Sequence, residues 1–205
     1  MNINSLSLRK KVAREAANLL YFRAEKEYKQ AKQKAAKIFG VHFLPANFEV
    51  AIELENIADE NEGKARLEHL IQMRKEALKL MQILKAYNPL LIGSVWRGTI
   101  HQGSDIDIVV YHDEPYGVVK ALKQNNLQIL QAEWVTVTKK GKRKASFHIH
   151  AESPAREKAE IKVISPEEAS RKEKCEIYGD EITGLRIKEL EKVLKENPSQ
   201  RFVPF

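Results

Sequence analysis

The hydrophobic pattern of this chain changes once, at Asn88-Pro89, and that change limits the fold more than any other feature. Before it, apolar side chains recur about every 3.6 residues, the period of an amphipathic helix. SLRKKVAREAANLLYFRAEKEYKQAKQKAAKIFG reads as one long helix, capped by Ser5 or Ser7 and ended by Gly40. A second helix follows Pro45. A third spans Lys64 to Tyr87, with Leu67, Leu70, Ile71, Leu78, Met81, Ile83 and Leu84 on its apolar stripe. After Pro89 the apolar runs shorten and their period drops towards two. Leu90–Ile92, Asp105–Tyr111, Leu127–Thr138, Ala145–His150 and Ala159–Ile164 read as strands. Helices are expected at Val118–Gln124, briefly from Pro166, and over Glu181–Glu196. The basic turn KKGKRK, with Gly141 at its tip, joins two of the strands as a hairpin. This order predicts an α+β (mixed α/β) fold, with a mixed sheet packed by helices behind an N-terminal helical extension. We divide it into a basic helical region, 1–62, and a sheet domain, 63–205.

The chain has 205 residues, 43% of them hydrophobic and 31% charged, enough to build a core. No apolar run approaches the roughly 18 residues of a membrane span. MNINSLSLRKK has no apolar h-region, so no signal peptide is expected. The single cysteine, Cys175, excludes an intrachain disulfide and suits a reducing cytoplasm. Net charge is +7, and residues 1–40 alone hold ten Lys or Arg against three Asp or Glu. Such a block suggests a polyanionic partner, RNA in particular, reached through the first helix and the KKGKRK turn. A solvated helix in a Lys/Glu-rich protein is the plainer reading. Homodimerisation through the helices is a further alternative.

Chemistry concentrates in IGSVWRGTIHQGSDIDIVVY, Ile92 to Tyr111. Residues two apart on a strand share a face, so Asp105 and Asp107 project side by side, about 6–7 Å apart at Cα. Ile106, Ile108 and Val110 then face a core. Two adjacent carboxylates resist joint ionisation unless a cation is present, and Mg²⁺ takes one or two carboxylates together with substrate phosphates. Upstream, Gly93-Ser94 follows a strand directly. Glycine lets a phosphate approach the backbone, and the serine hydroxyl and neighbouring N–H groups supply donors. Gly93 and Gly98 have P-loop spacing, but Thr99 stands where that motif requires lysine, so a Walker A site is excluded.

Gly93-Ser94, Arg97-Gly98 and Ser104-Asp105-Ile106-Asp107-Ile108-Val109 together resemble the signature of the nucleotidyltransferase superfamily typified by DNA polymerase beta, minimal nucleotidyltransferases included. The resemblance covers roughly residues 90–165 and leaves the N-terminal third without a role. It implies a third carboxylate on a later strand, for which Glu160 is the choice, with Glu152 and Glu157 as alternatives. It also implies two-metal nucleotidyl transfer. Asp105, Asp107 and Glu160 would hold Mg²⁺ or Mn²⁺ ions about 3.5–4 Å apart. Gly93 and Ser94 would cradle the β- and γ-phosphates of an NTP, and Arg97, Ser104 and Lys162 complete the expected nucleotide-binding set. Lys162 shares the face of Glu160 by period two and is equally readable as a surface lysine.

Of the remaining candidates, His148 and His150 share a strand face, but no cysteine or third histidine completes a zinc site. They and His101 are expected to line the cleft or the sheet surface, and Trp96 and Trp134 to pack in the core or cleft. The leading reading is an enzyme moving NMP from an NTP to an acceptor, most simply RNA. Alternatives are a nucleotidyltransferase that modifies a protein or small molecule, and a noncatalytic RNA-binding module of the same fold. A D-x-D glycosyltransferase does not account for the Gly-Ser turn.

Overall fold

The computed structural model describes residues 3–139, 142–171 and 173–204. Four helices come first: α1 (Ile3–Tyr21), α2 (Tyr28–Ile38), α3 (Asn47–Glu62) and α4 (Lys64–Ile83). Then follow β1 (Leu90–Ile92), the short α5 (Gly93–Arg97), β2 (Ile106–Tyr111) and α6 (Pro115–Gln124). The chain closes with β3 (Gln128–Lys139), β4 (Lys142–Glu152), β5 (Lys158–Ile164) and α7 (Ile187–Glu196). The mixed α+β architecture expected from the pattern is therefore present.

One expectation fails early. The long helix is two helices, broken at Phe22–Glu27, where Arg23 takes a left-handed φ of 56°. Local propensity favours continuing through AEKEYK, but tertiary packing wins. The break folds α2 back on α1 so that Val12, Ala13, Ala16 and Ala17 meet Ala31, Ala35 and Ala36 in one buried cluster, completed by Val50, Leu54 and Ile57 of α3. The many alanines let these helices approach closely. The terminal helix is also shorter than expected. Gly184, at φ 64°, turns the chain so that Leu185 bridges Leu91 of β1 before α7 begins.

The sheet has the order β1-β2-β5-β4-β3. β2 and β5 are parallel, and the other neighbours are antiparallel. On one face, Ile106, Ile108 and Val110 of β2 stand beside Ala159, Ile161 and Val163 of β5 and Phe147, Ile149 and Ala151 of β4. These join Leu70, Met73, Ala77, Leu80, Met81 and Leu84 of α4, Val118 and Leu122 of α6, and Leu190 and Val193 of α7 in a second buried cluster. Helices cover that face. The other face is left for chemistry. Among the described residues no helix is long and apolar enough to cross a membrane. In the KKGKRK turn, pairing runs to Lys139 opposite Lys142, and the tip, Lys140-Gly141, lies outside the described residues.

Polar contacts tie the helical unit of α1, α2 and α3 to α4 and to the loop before β2. Arg66 of α4 donates to the Ile100 carbonyl at 2.6 Å and to Asp59 of α3 at 2.6 Å. Glu62 accepts from the Gln102 N–H at 2.9 Å, and Arg23 donates to the Gly103 carbonyl at 2.6 Å. Much of the basic block is consumed inside this unit: Arg9 forms a two-pronged pair with Glu49 of α3, and Arg14 reaches Glu53 and Glu60. The free positive face is correspondingly smaller than residue counting implies.

Candidate active site

Five strands contribute one residue each to a single row on the open face of the sheet. Strand register sets Ile92 beside Asp107, Asp107 beside Glu160, Glu160 beside His150, and His150 beside Gln131. All five line a cleft of about 900 Å³ that also takes in Gly93, Ser94, Arg97, Ser104 and Asp105. The sequence candidates thus converge, with Lys162 the exception: it stands two residues along β5, half-buried beside His148 and outside the cleft lining.

Gly93 begins α5 directly after β1, at φ 71°, and lies against Asp107. A Cβ at position 93 would fall 2.0 Å from Asp107 Oδ2. Only glycine lets the turn backbone approach the carboxylate this closely. The turn is held from behind by Arg74 of α4, which is fully buried. Its guanidinium donates to the carbonyls of Val95 and Trp96 in α5 and of Pro198 and Gln200 in the C-terminal segment, at 2.8–3.1 Å. Loss of solvation lowers the Arg74 pKa to about 10.

Burial, and then repulsion from Glu160 and Asp105, raise the Asp107 pKa to about 7. Asp105 has a buried oxygen, Oδ1, without a hydrogen-bond donor. The Arg23 guanidinium lies 3.9 Å from that oxygen. Crowded carboxylates, an orphaned acceptor and a glycine cradle together fit a hard divalent cation with oxygen ligands. Among the described residues, however, no three acids, histidines or cysteines already stand as a ligand group. Glu160 is engaged elsewhere: its Oε1 lies 2.5 Å from His148 Nδ1, and His148 Nε2 lies 2.8 Å from Ser146 Oγ. Of the alternative acids, Glu152 pairs with Arg156 at 2.8 Å and Glu157 with His69 at 3.4 Å. Neither shares the row with Asp107.

Arg97 is turned inward. It holds both oxygens of Asp180, at 2.7 and 3.1 Å, donates to the Phe202 carbonyl at 2.9 Å, and lies over the rings of Trp96 and Tyr178. The Ser104 hydroxyl accepts from the His101 N–H at 3.0 Å and so fixes the bend that precedes β2. Burial lowers the pKa of His101, which also lines the cleft. Trp96 is core, whereas Trp134 is 57% exposed on β3 and stacks edge-on against Phe147. Sequence reasoning passed over Arg23 and Lys158, which border the cleft beside Asp105. For Lys158 a signal existed, since it shares its strand face with Glu160 by period two. For Arg23 there was none.

A family model described as a nucleotidyltransferase domain matches residues 70–199. A search of curated proteins found no match. Among solved structures, the chain is similar to a cytoplasmic RNA terminal U-transferase at 17% identity and a TM-score of 0.32. That likeness covers 57% of this chain, which spans only 35% of the other. The family match takes in β1 through α7, the Gly93-Ser94 turn and all three acids of the site. The chain belongs to the nucleotidyltransferase domain family.

Proposed function

We propose that this protein transfers a nucleoside monophosphate from an NTP to an acceptor hydroxyl on RNA, with Mg²⁺ or Mn²⁺ as the working ion. The observation that carries the reading is the placement of Asp107 between Glu160 and the Gly93 turn. Asp105, Asp107 and Glu160 would hold the ion, with Glu160 released from His148. A divalent ion bound there supplies charge neutralisation at the phosphates and acidifies the acceptor hydroxyl. Gly93 and Ser94 present the turn to the β- and γ-phosphates. The acceptor oxygen forms a bond to the α-phosphorus while the bond from that phosphorus to the bridging oxygen breaks, releasing pyrophosphate. The hydroxyl proton leaves to a carboxylate of the site and then to water. Positioning and electrostatics account for the acceleration, without a covalent enzyme intermediate.

In this scheme Arg97 and Ser104 shape the walls of the nucleotide site, and Lys162 lends positive charge at its margin. Free basic residues such as Lys26, at the cleft, favour a polyanionic acceptor. A reducing compartment suits the lone Cys175, so we place the activity in the cytoplasm. The test is incubation with each α-labelled NTP, Mg²⁺ or Mn²⁺, and total RNA. Label should enter RNA with wild-type protein and be lost with Asp107→Asn. Equal labelling by the two proteins would overturn the assignment.

A further inference from the structure

A second cavity, of about 580 Å³, opens beside the first and shares Arg23, Ser104, Asp105 and Lys158 with it. Gly93, Ser94, Asp107 and Glu160 do not line it. Asp105 is therefore a wall common to two chambers, one of which contains the phosphate turn and one of which does not. A transfer reaction needs two ligands to meet within about 3–3.5 Å at the same carboxylates. With an NTP seated at the turn, the second chamber is the place from which another ligand reaches Asp105.

Its walls suit a particular chemistry. Phe22, at the end of α1, is 64% exposed, with its ring held edge-on to Tyr21 at a centroid distance of 5.0 Å. Arg156, in the connection between β4 and β5, pairs with Glu152 at 2.8 Å yet keeps its side chain 85% exposed, and Lys158 beside it is exposed as well. Of the two acids in this wall, Glu157 is paired with His69, and Asp105 is the carboxylate shared with the first cleft. An exposed ring next to cationic side chains is how single-stranded nucleic acid is gripped without reading its sequence: bases stack and phosphates find charge. The volume lies within the usual range of ligand pockets, about 300–1,000 Å³.

We infer that this chamber receives the 3′-terminal nucleotides of a single-stranded RNA acceptor. A base stacks on Phe22, phosphates lie at Arg156 and Lys158, and the terminal ribose points to Asp105. This rests on the nucleotidyl-transfer reading and adds a specific claim. Phe22 and Arg23 lie outside the segment matched by the family model, so the helical extension supplies part of the reaction centre. Arg23 holds that extension in place, since its Nη2 donates to the Gly103 carbonyl at 2.6 Å at the boundary of the chambers.

The experiment uses the full chain and two independent readouts. Fluorescence anisotropy measures binding of a 3′-hydroxyl single-stranded RNA oligonucleotide without nucleotide, and equilibrium dialysis measures binding of NTP with Mg²⁺. Phe22→Ala and Arg156→Ala should each weaken RNA binding by about tenfold, in line with the loss of one stacked base or phosphate contact, and leave NTP binding unchanged. Phe22→Trp should retain RNA binding, which a merely structural role for the ring would not require. Unchanged RNA affinity in both alanine variants overturns the inference, as does a wild-type protein that does not bind the oligonucleotide. Label transferred to protein or a small molecule instead of RNA also overturns it, while leaving nucleotidyl transfer intact. Absence of NTP binding in the wild type counts against the underlying reading alone.

Discussion

Gly93 and Asp107 are packed so closely that a methyl group on the glycine would sit 2.0 Å from a carboxylate oxygen. Position 93 also has a φ of 71°, which a side chain makes costly by about 1–2 kcal/mol. Gly93→Ala must therefore displace either the turn or Asp107. We expect transfer to fall at least about a hundredfold, as a misplacement of about 1 Å can cause. Steady-state kinetics checks this, alongside a urea melt that reports the smaller loss of stability.

Asp107 also links the site to pH. Its carboxyl is raised from 3.8 to about 7 in the folded protein, so the folded state binds the extra proton between those values. Stability from this group is complete below about pH 4 and declines as pH rises towards 7. Asp107→Asn removes the cost of the charge. The variant should melt several degrees above wild type at pH 8 and about level with it near pH 4. Added Mg²⁺ or Mn²⁺ should raise the wild-type melting temperature at pH 8 and have little effect on the variant. Thermal melts across the pH series read both effects.

Arg74 makes the opposite kind of contribution, since its bonds are made to backbone. Replacing it with methionine leaves four carbonyls without their donor, each at a typical cost of about 1–3 kcal/mol when it stays dry. Relaxation and water entry reduce the sum, and we expect a net loss of about 3–5 kcal/mol by denaturant unfolding. NTP affinity should fall as well, because α5 carries the turn.

Arg97→Lys separates a wall from a ligand. Lysine keeps the charge but cannot hold both oxygens of Asp180 and the Phe202 carbonyl together. The expected result is a stability loss of about 2 kcal/mol with NTP affinity within about twofold of wild type. A large loss of NTP affinity at unchanged stability would instead make Arg97 a phosphate ligand.

These residues also mark how far the sequence could be read. The β2 strand and its paired aspartates were legible because period two is local, and Ile106, Ile108 and Val110 do face the core. The neighbourhood of Glu160 was legible only by resemblance, since nothing between β2 and β5 dictates the parallel register that sets it beside Asp107. The break after Tyr21 was hidden, because strong helix formers surround Arg23 and what favours the break is tertiary: the packing of α2 on α1 and α3, and the bond from Arg23 to Gly103 eighty residues away. The Glu181–Arg186 segment misled for a similar reason. A Cβ on Gly184 would lie 2.7 Å from the Leu91 carbonyl oxygen, a close backbone approach that helical periodicity does not reveal. The charge block misled in degree, since Glu49, Glu53 and Glu60 lie across from it on α3.

Because the floor of the cleft is one residue deep on each of five strands, it depends on strand length as strictly as on the identity of its acids. Sliding β5 by a single residue against β2 would put Ala159 or Ile161 opposite Asp107 and turn Glu160 into the oily side of the sheet. Insertions and deletions in the strands should thus be purged from functional copies of this protein as strictly as replacements of Asp107.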